Sequence, residues 1–310
     1  MKRKLLNLLM LVVVIVLAIG VYFASQKSAQ PPKPPLTPLN AAKIDTISIE
    51  KPGHKTLALK RSKGQWRLTA PIKVEANNAN VNSILAVATS PCETSIKPSQ
   101  VTLSDLGLKP AKYSILFNQT RVDIGAIEPL KYRRYAMVDD TICLISNPSA
   151  PGLGSENYAN LVSTALIPTG KTLVKISLPG HTAVKNAKSG KWSLAPADPK
   201  VAKDAAQQLA KAWQQAHAMW NALTPGTAKA PAKPLQVTLS FKDGSQIVYR
   251  VASEKPQLKL RRSDIGIDYT VSKAEGGKLL AVAKPKPASG GSTAKPASAA
   301  TAAVAGRSAR

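Results

Sequence analysis

Chemistry in this 310-residue chain would have to come from a small set of side chains: three histidines, two cysteines, two pairs of adjacent arginines and one pair of adjacent aspartates. His54 and His181 occupy matching Pro-Gly-His stretches, Pro52-Gly53-His54 and Pro179-Gly180-His181, which reads as a turn role. His217 has no second ligand one helical turn away, as a metal site on a helix requires. Asp139-Asp140 lies between two strand-like runs, so both carboxylates are expected at a solvated hairpin tip. General acid–base work needs one buried group, and nothing near this pair suggests burial. Gly152-Leu153-Gly154-Ser155 lacks both the later glycine of a dinucleotide fingerprint and the preceding strand of a nucleophile elbow. No catalytic, cofactor-binding or metal-ligating set emerges, and the chain reads as neither an enzyme nor a cofactor protein.

Two features remain as binding candidates. Arg133-Arg134 and Arg261-Arg262 recur at equivalent strands and could together hold a phosphate or carboxylate, with charged strand edges as the plainer alternative. Trp66 and Trp192 could stack on sugars or bases. Their alternation with Leu68 and Leu194 instead points both rings toward a core.

Those tryptophans belong to a stretch that occurs twice. Gly64-Gln65-Trp66-Arg67-Leu68-Thr69-Ala70-Pro71 is matched by Gly190-Lys191-Trp192-Ser193-Leu194-Ala195-Pro196. Ile47-Ser48-Ile49 and Ile176-Ser177-Leu178 precede the two copies. Solenoid units are about 20–50 residues long, so a repeat of this length means a duplicated domain. Trp66, Leu68, Pro71, Trp192, Leu194 and Pro196 are its expected core.

The first copy is expected over residues 41–148. Short strands are read at Thr46 to Glu50, Thr56 to Lys60 and Gln65 to Leu68. A helix from Asn78 carries Val81, Ile84, Leu85 and Ala88 on one face. Two hairpins follow, around Asn118-Gln119-Thr120 and around Asp139-Asp140. A connector over 149–170 with a short helix from Tyr158 to Leu166 leads to the second copy, 171–282. There Asp198 is expected to cap a helix whose stripe runs Val201, Ala205, Leu209, Trp213, Ala216 and Trp220. Hairpins around Asp243-Gly244 and from Leu258 to Ser272 complete it. The expected fold class is α+β: an N-terminal transmembrane helix, then two homologous domains, each an antiparallel sheet with a packed helix.

The ends of the chain give an address. Lys2-Arg3-Lys4 precedes an uncharged run from Leu5 to Ala24. As a helix, twenty residues span about 30 Å, the thickness of a bilayer's hydrocarbon core. Cleavage after Ala24 or Ala29 would place Tyr22 or Lys27 where a small side chain is needed, which favours an uncleaved anchor over 1–24. The positive-inside rule then keeps the N-terminus cytoplasmic and sends the bulk of the chain out of the bacterial inner membrane into the periplasm. Residues 25–40 read as a stiff spacer, with five prolines between Gln30 and Pro38. Residues 283–310 are an Ala/Pro/Lys tail with too little apolar surface to fold. A net charge of +26 points to anionic lipid or polymer as partners, without a motif for specific nucleic-acid binding.

The order Gly-x-Trp-x-Leu-x-x-Pro, helix, Leu106-Gly107-Leu108-Lys109-Pro110 and Val122-Asp123-Ile124-Gly125 resembles the bacterial family called domain of unknown function 4340. The resemblance covers about residues 44–280. The second copy lacks the Gly-Leu element and the glycine after its hairpin. The resemblance implies a membrane-anchored extracytoplasmic protein, an accessory or scaffold part of a gliding-type ABC export complex with protein partners in the envelope. It brings no catalytic residues.

Cys92 and Cys143 both fall in the first copy. An oxidising compartment favours a bridge between them. Against it, Ile142 and Leu144 are expected to claim the core face of the last strand and turn Cys143 away. The sequence leaves both states open.

Overall fold

Alternation of aliphatic and polar residues gives most of the strands one buried face, and the chain folds them into two antiparallel sheets. The structure, a computed structural model, describes residues 2–27, 33–150, 153, 157–226 and 235–283. The first sheet contains β1 (Thr46–Glu50), β2 (Leu57–Ser62), β3 (Gln65–Ala70), β4 (Val74–Glu75), β5 (Thr94–Ile96), β6 (Tyr113–Phe117), β7 (Thr120–Ile127), β8 (Arg134–Val138) and β9 (Thr141–Ile145). The second contains β10 (Leu173–Leu178), β11 (His181–Lys185), β12 (Trp192–Ala195), β13 (Trp220–Leu223), β14 (Gln236–Phe241), β15 (Gln246–Ser253), β16 (Leu258–Arg262) and β17 (Ile267–Val271). Their orders are β4-β3-β2-β1-β6-β7-β8-β9-β5 and β12-β11-β10-β14-β15-β16-β17-β13. Apart from β4 the two orders correspond strand for strand.

In each sheet a helix carries the chain from one edge strand, β4 or β12, across to the opposite edge. Helix α2 (Asn78–Ala88) starts where the Asn77 side chain accepts from the N–H groups of Ala79 and Asn80, and it buries Val81, Ile84, Leu85 and Ala88 as the spacing requires. The chain then returns as β5 beside β9. In the second domain α3 (Ala205–Gln215) does the same and β13 pairs with β17. This helix is shorter than the periodicity implies. Asp198 accepts from the N–H of Lys200 in a turn ahead of the helix, and Ala202 is held by the Ala283 carbonyl. Trp220 falls in β13, where it is exposed. The edge strands β4, β5 and β13 have too few residues to show a period. Helix α4 (Lys273–Leu280), capped by Ser272, closes the second domain against α3.

Trp66 and Leu68 lie in the core, while Trp192 and Leu194 are half-buried. The volume at the centre of the second core is filled by Trp213 from α3, whose ring lies 5.6 Å from that of Tyr249. Its indole N–H reaches the Leu279 carbonyl of α4 at 3.1 Å. The expectation that Pro71 and Pro196 are core residues is corrected: both end their strands at the surface, after cis peptide bonds.

The connector is part of the core. Residues Tyr158–Leu161 form a 3-10 turn where a helix to Leu166 was expected, and Leu161, Val162 and Leu166 are fully buried. On one side Leu161 accepts from Asn77 and Ser163 donates to the Glu75 carbonyl. Both Glu75 carboxylate oxygens accept from Thr169, one from its N–H and one from its hydroxyl, each at 2.7 Å. On the other side Ala218 donates to Thr164, Leu166 to Ala216, Asn221 Nδ2 to Val162 at 2.9 Å, and the Tyr249 hydroxyl to Leu166 at 2.5 Å. Burial holds the Tyr249 hydroxyl well above its ordinary pKa and pushes Tyr269 up to about 12, so both stay protonated and Tyr249 keeps its proton for the Leu166 carbonyl.

The proline-rich segment is also more than a spacer. From Lys33 it runs antiparallel to the end of α2: Leu36 donates to Ser90, Thr37 to Ala88, and Cys92 to Pro34. Leu36 and Thr37 are buried. Prolines fit here because only carbonyls are needed at their positions. Helix α1 (Lys2–Lys27) precedes this segment, and its described side chains, 7–22, are all exposed. Among the described residues no helix is long and apolar enough to cross a membrane.

Two mutational outcomes follow from this packing. Trp66→Ala is expected to cost about 3–5 kcal/mol and Trp192→Ala about half as much. Urea denaturation measures both, and equal losses would contradict the difference in burial. Glu75→Ala strands the Thr169 N–H and hydroxyl and is expected to cost about 1–3 kcal/mol. An unchanged urea midpoint would show that the seam does not depend on this carboxylate.

Candidate functional site

The four arginines do not form an anion cradle, because each guanidinium is engaged within the fold. Arg133 Nε lies 3.3 Å from Glu128 Oε2, and Arg134 donates to the Asn147 side chain at 2.8 Å and the Gly125 carbonyl at 2.9 Å. Arg261 makes a two-point contact with Asp268 at 2.8 and 2.9 Å, and Arg262 pairs with Asp264. Arg261 and Asp268 are cross-strand partners on β16 and β17, so strand register sets that pair.

The histidines are dispersed. His54 is exposed in its turn, His217 is exposed beyond α3, and His181 Nε2 stands 3.9 Å from Asp198 Oδ2. Among the described residues no three His, Cys, Asp or Glu side chains could hold a metal. Asp139 and Asp140 are exposed at the β8–β9 tip. Gly152, Gly154 and Ser155 lie outside the described residues.

Two clefts have chemical character. One, of about 540 Å³, lies over the outer face of β1, β6 and β7, roofed by Pro52 and Pro110. Its floor is a row of cross-strand neighbours, Glu50, Ser114 and Asp123. Arg121 spans the row: Nε to Asp123 at 2.8 Å, Nη1 to Glu50 at 2.9 Å and Nη2 to the Ser114 hydroxyl at 2.7 Å. Ser114 donates in turn to Asp123 at 2.5 Å. A serine beside a carboxylate suggests a nucleophile, but here the hydroxyl oxygen accepts from a guanidinium. That contact draws electron density away from the oxygen, and no histidine lines the cleft. The network holds the strands together and can bind polar groups. Sequence reading missed this row, although its signal was present: each member falls on the polar phase of its strand. The register between strands was the missing information.

The other cleft, about 860 Å³, lies between the β15–β16 turn and α4, with Leu258 and Leu280 on its wall and Lys255 and Lys273 at its rim. Gly276 fits α4 against β16 so closely that a Cβ there would stand 2.8 Å from Leu258 Cβ. Its charged lining is Glu254, Lys255 and Lys273, and no serine, threonine, cysteine or histidine lines it.

Cys92 and Cys143 form a disulfide with Cα atoms 5.2 Å apart. The objection from alternation is answered by burial: Ile142, Cys143, Leu144 and Ile145 are all buried, so β9 has both faces covered. Cys92, held by its N–H to Pro34, lies on the face opposite Ile142 and Leu144.

No family model, curated protein or solved structure matches the chain.

With a sequence separation of 51, the disulfide is expected to contribute about 4 kcal/mol in the chain-entropy model. Denaturation with and without reductant measures this. Two alkylatable thiols in protein taken from its native compartment would show that the bridge is not made there.

Proposed function

We propose that this chain is a non-enzymatic accessory or scaffold protein, anchored by α1 in the bacterial inner membrane with its N-terminus in the cytoplasm and both sheets outside. Its partners are proteins of an envelope complex, of the gliding-type ABC export kind that the family resemblance implies. The observation that carries the reading is the joining of two matching sheets through one buried connector, which makes a rigid two-part body whose polar clusters are spent on internal pairing. Three further features support it. The disulfide suits an oxidising compartment. The exposed apolar side chains of α1 between Leu8 and Tyr22 call for a non-aqueous environment, and in the sequence the uncharged run extends from Leu5 to Ala24. The tether enters the first domain directly.

A second reading is favoured by the charge of +26: binding of anionic polymer or lipid head groups. Salt separates the two, since polymer binding falls steeply with ionic strength and a packed protein interface is less sensitive. For the topology, a reporter fused after Ala283 is expected to be active only outside the cytoplasm, with the mature chain retaining Met1. Activity confined to the cytoplasm would sink the reading. Cross-linking in intact membranes then identifies the protein partners.

A further inference from the structure

Outside α1, half of the large exposed hydrophobic side chains among the described residues fall in one place: Ile127 at the end of β7, and Leu130 and Tyr132 in the loop that follows, 87% and 75% exposed. The loop is held in shape. Glu128, itself buried, accepts on one carboxylate oxygen from the Lys131 N–H at 3.1 Å and from Arg133 Nε at 3.3 Å, and its N–H donates to the Arg133 carbonyl at 2.7 Å. Tyr132 takes a left-handed backbone, φ 53°, which bulky residues avoid unless their surroundings impose it. The exposed leucine and tyrosine are therefore presented by a built loop rather than left over from a loose one.

The loop lies beside the point where the chain enters from α1. Arg133 reaches the Thr94 hydroxyl at 3.4 Å, and neighbouring Glu93 pairs with Lys33 at the start of the docked segment. Lys33, and beyond it Arg133 and Lys131, hold the Glu93 carboxyl below its usual range. From Lys27, the last residue of α1, to Lys33 is six residue steps, so the contour length is at most about 22 Å. The domain cannot stand far from whatever holds α1, and the edge at which the chain enters carries leucine, isoleucine, tyrosine and lysine. Tyrosine favours the interfacial layer of a bilayer, with its ring among acyl chains and its hydroxyl at the head groups, and lysine favours anionic head groups.

We propose that the loop 127–133 is a second membrane contact, seating Leu130 and Tyr132 in the interfacial layer of the same bilayer that holds α1, with Lys131 on anionic head groups. The inference rests on the anchored reading above. It fixes how the first domain stands: β5 and the disulfide edge lie at the membrane, and the Asp139–Asp140 tip at the other end of β8 and β9 points away.

The test uses the full chain reconstituted in vesicles of mixed phosphatidylcholine and phosphatidylglycerol. The photoreactive residue p-benzoylphenylalanine is placed in turn at positions 130, 132 and 139. Each is exposed, so each variant is expected to fold, and retention of the disulfide checks this. Lipid adducts are expected to be at least about tenfold more abundant at 130 and 132 than at 139. Carbonate extraction of the same vesicles reports on α1 separately. A chain that resists carbonate but gives no more lipid adduct at 130 and 132 than at 139, or adducts there to a second copy of itself, overturns this inference and leaves the anchor. A chain that carbonate extracts overturns the anchor and this inference with it.

Discussion

The structure depends on one stretch of backbone being hydrogen-bonded from two sides. Residues 157–169 leave the first sheet and enter the second through the interior, where an unpaired N–H or carbonyl costs about as much as the stability of several ordinary contacts. Asn77 and Glu75 serve one flank, and Ala216, Ala218, Asn221 and Tyr249 the other. With Leu161, Val162 and Leu166 fully buried between them, the two sheets share a single continuous core. Glu75 matters most because a carboxylate buried at such a seam is tolerable only when its oxygens are occupied, and Thr169 occupies both.

That constraint explains the division of labour among polar side chains. Arg261 with Asp268, Arg133 with Glu128, and Arg121 with Ser114, Asp123 and Glu50 each cross strands or close a loop. Charges paired in this way position backbone. What the molecule presents outward is shape and surface: a cleft with a polar floor, a cleft with an apolar wall, and the loop bearing Leu130 and Tyr132. These suit docking, which agrees with the proposed accessory role.

The first domain is fastened at the edge where the chain arrives. The segment from Lys33 to Thr37 lies against residues 88–92, Cys92 is tied to β9, and the 127–133 loop stands alongside. The strip on which that segment docks is thus tied to β9 by the disulfide as well as by the three-residue edge strand β5. The second domain, which has no cysteine, is braced instead by α4 and the Trp213–Tyr249–Tyr269 cluster.

The sequence by itself determined the elements whose physics is local. Alternation marked β1, β6, β7 and β14, the Val81-Ile84-Leu85-Ala88 spacing from Asn78 onward marked α2, and the doubled Gly-x-Trp-x-Leu phrase marked the duplicated plan. Tertiary structure decided whatever depended on partners distant along the chain. Strands β4, β5 and β13 exist only because a neighbouring edge offers them hydrogen bonds. Trp192 gave up the centre of its core to Trp213, a competition of volumes that no periodicity records. The Glu50-Ser114-Asp123 row, the arginine pairings and the Cys92–Cys143 bridge likewise required strand register and packing. Alternation says which face a residue takes; only the assembled sheet says what stands opposite it.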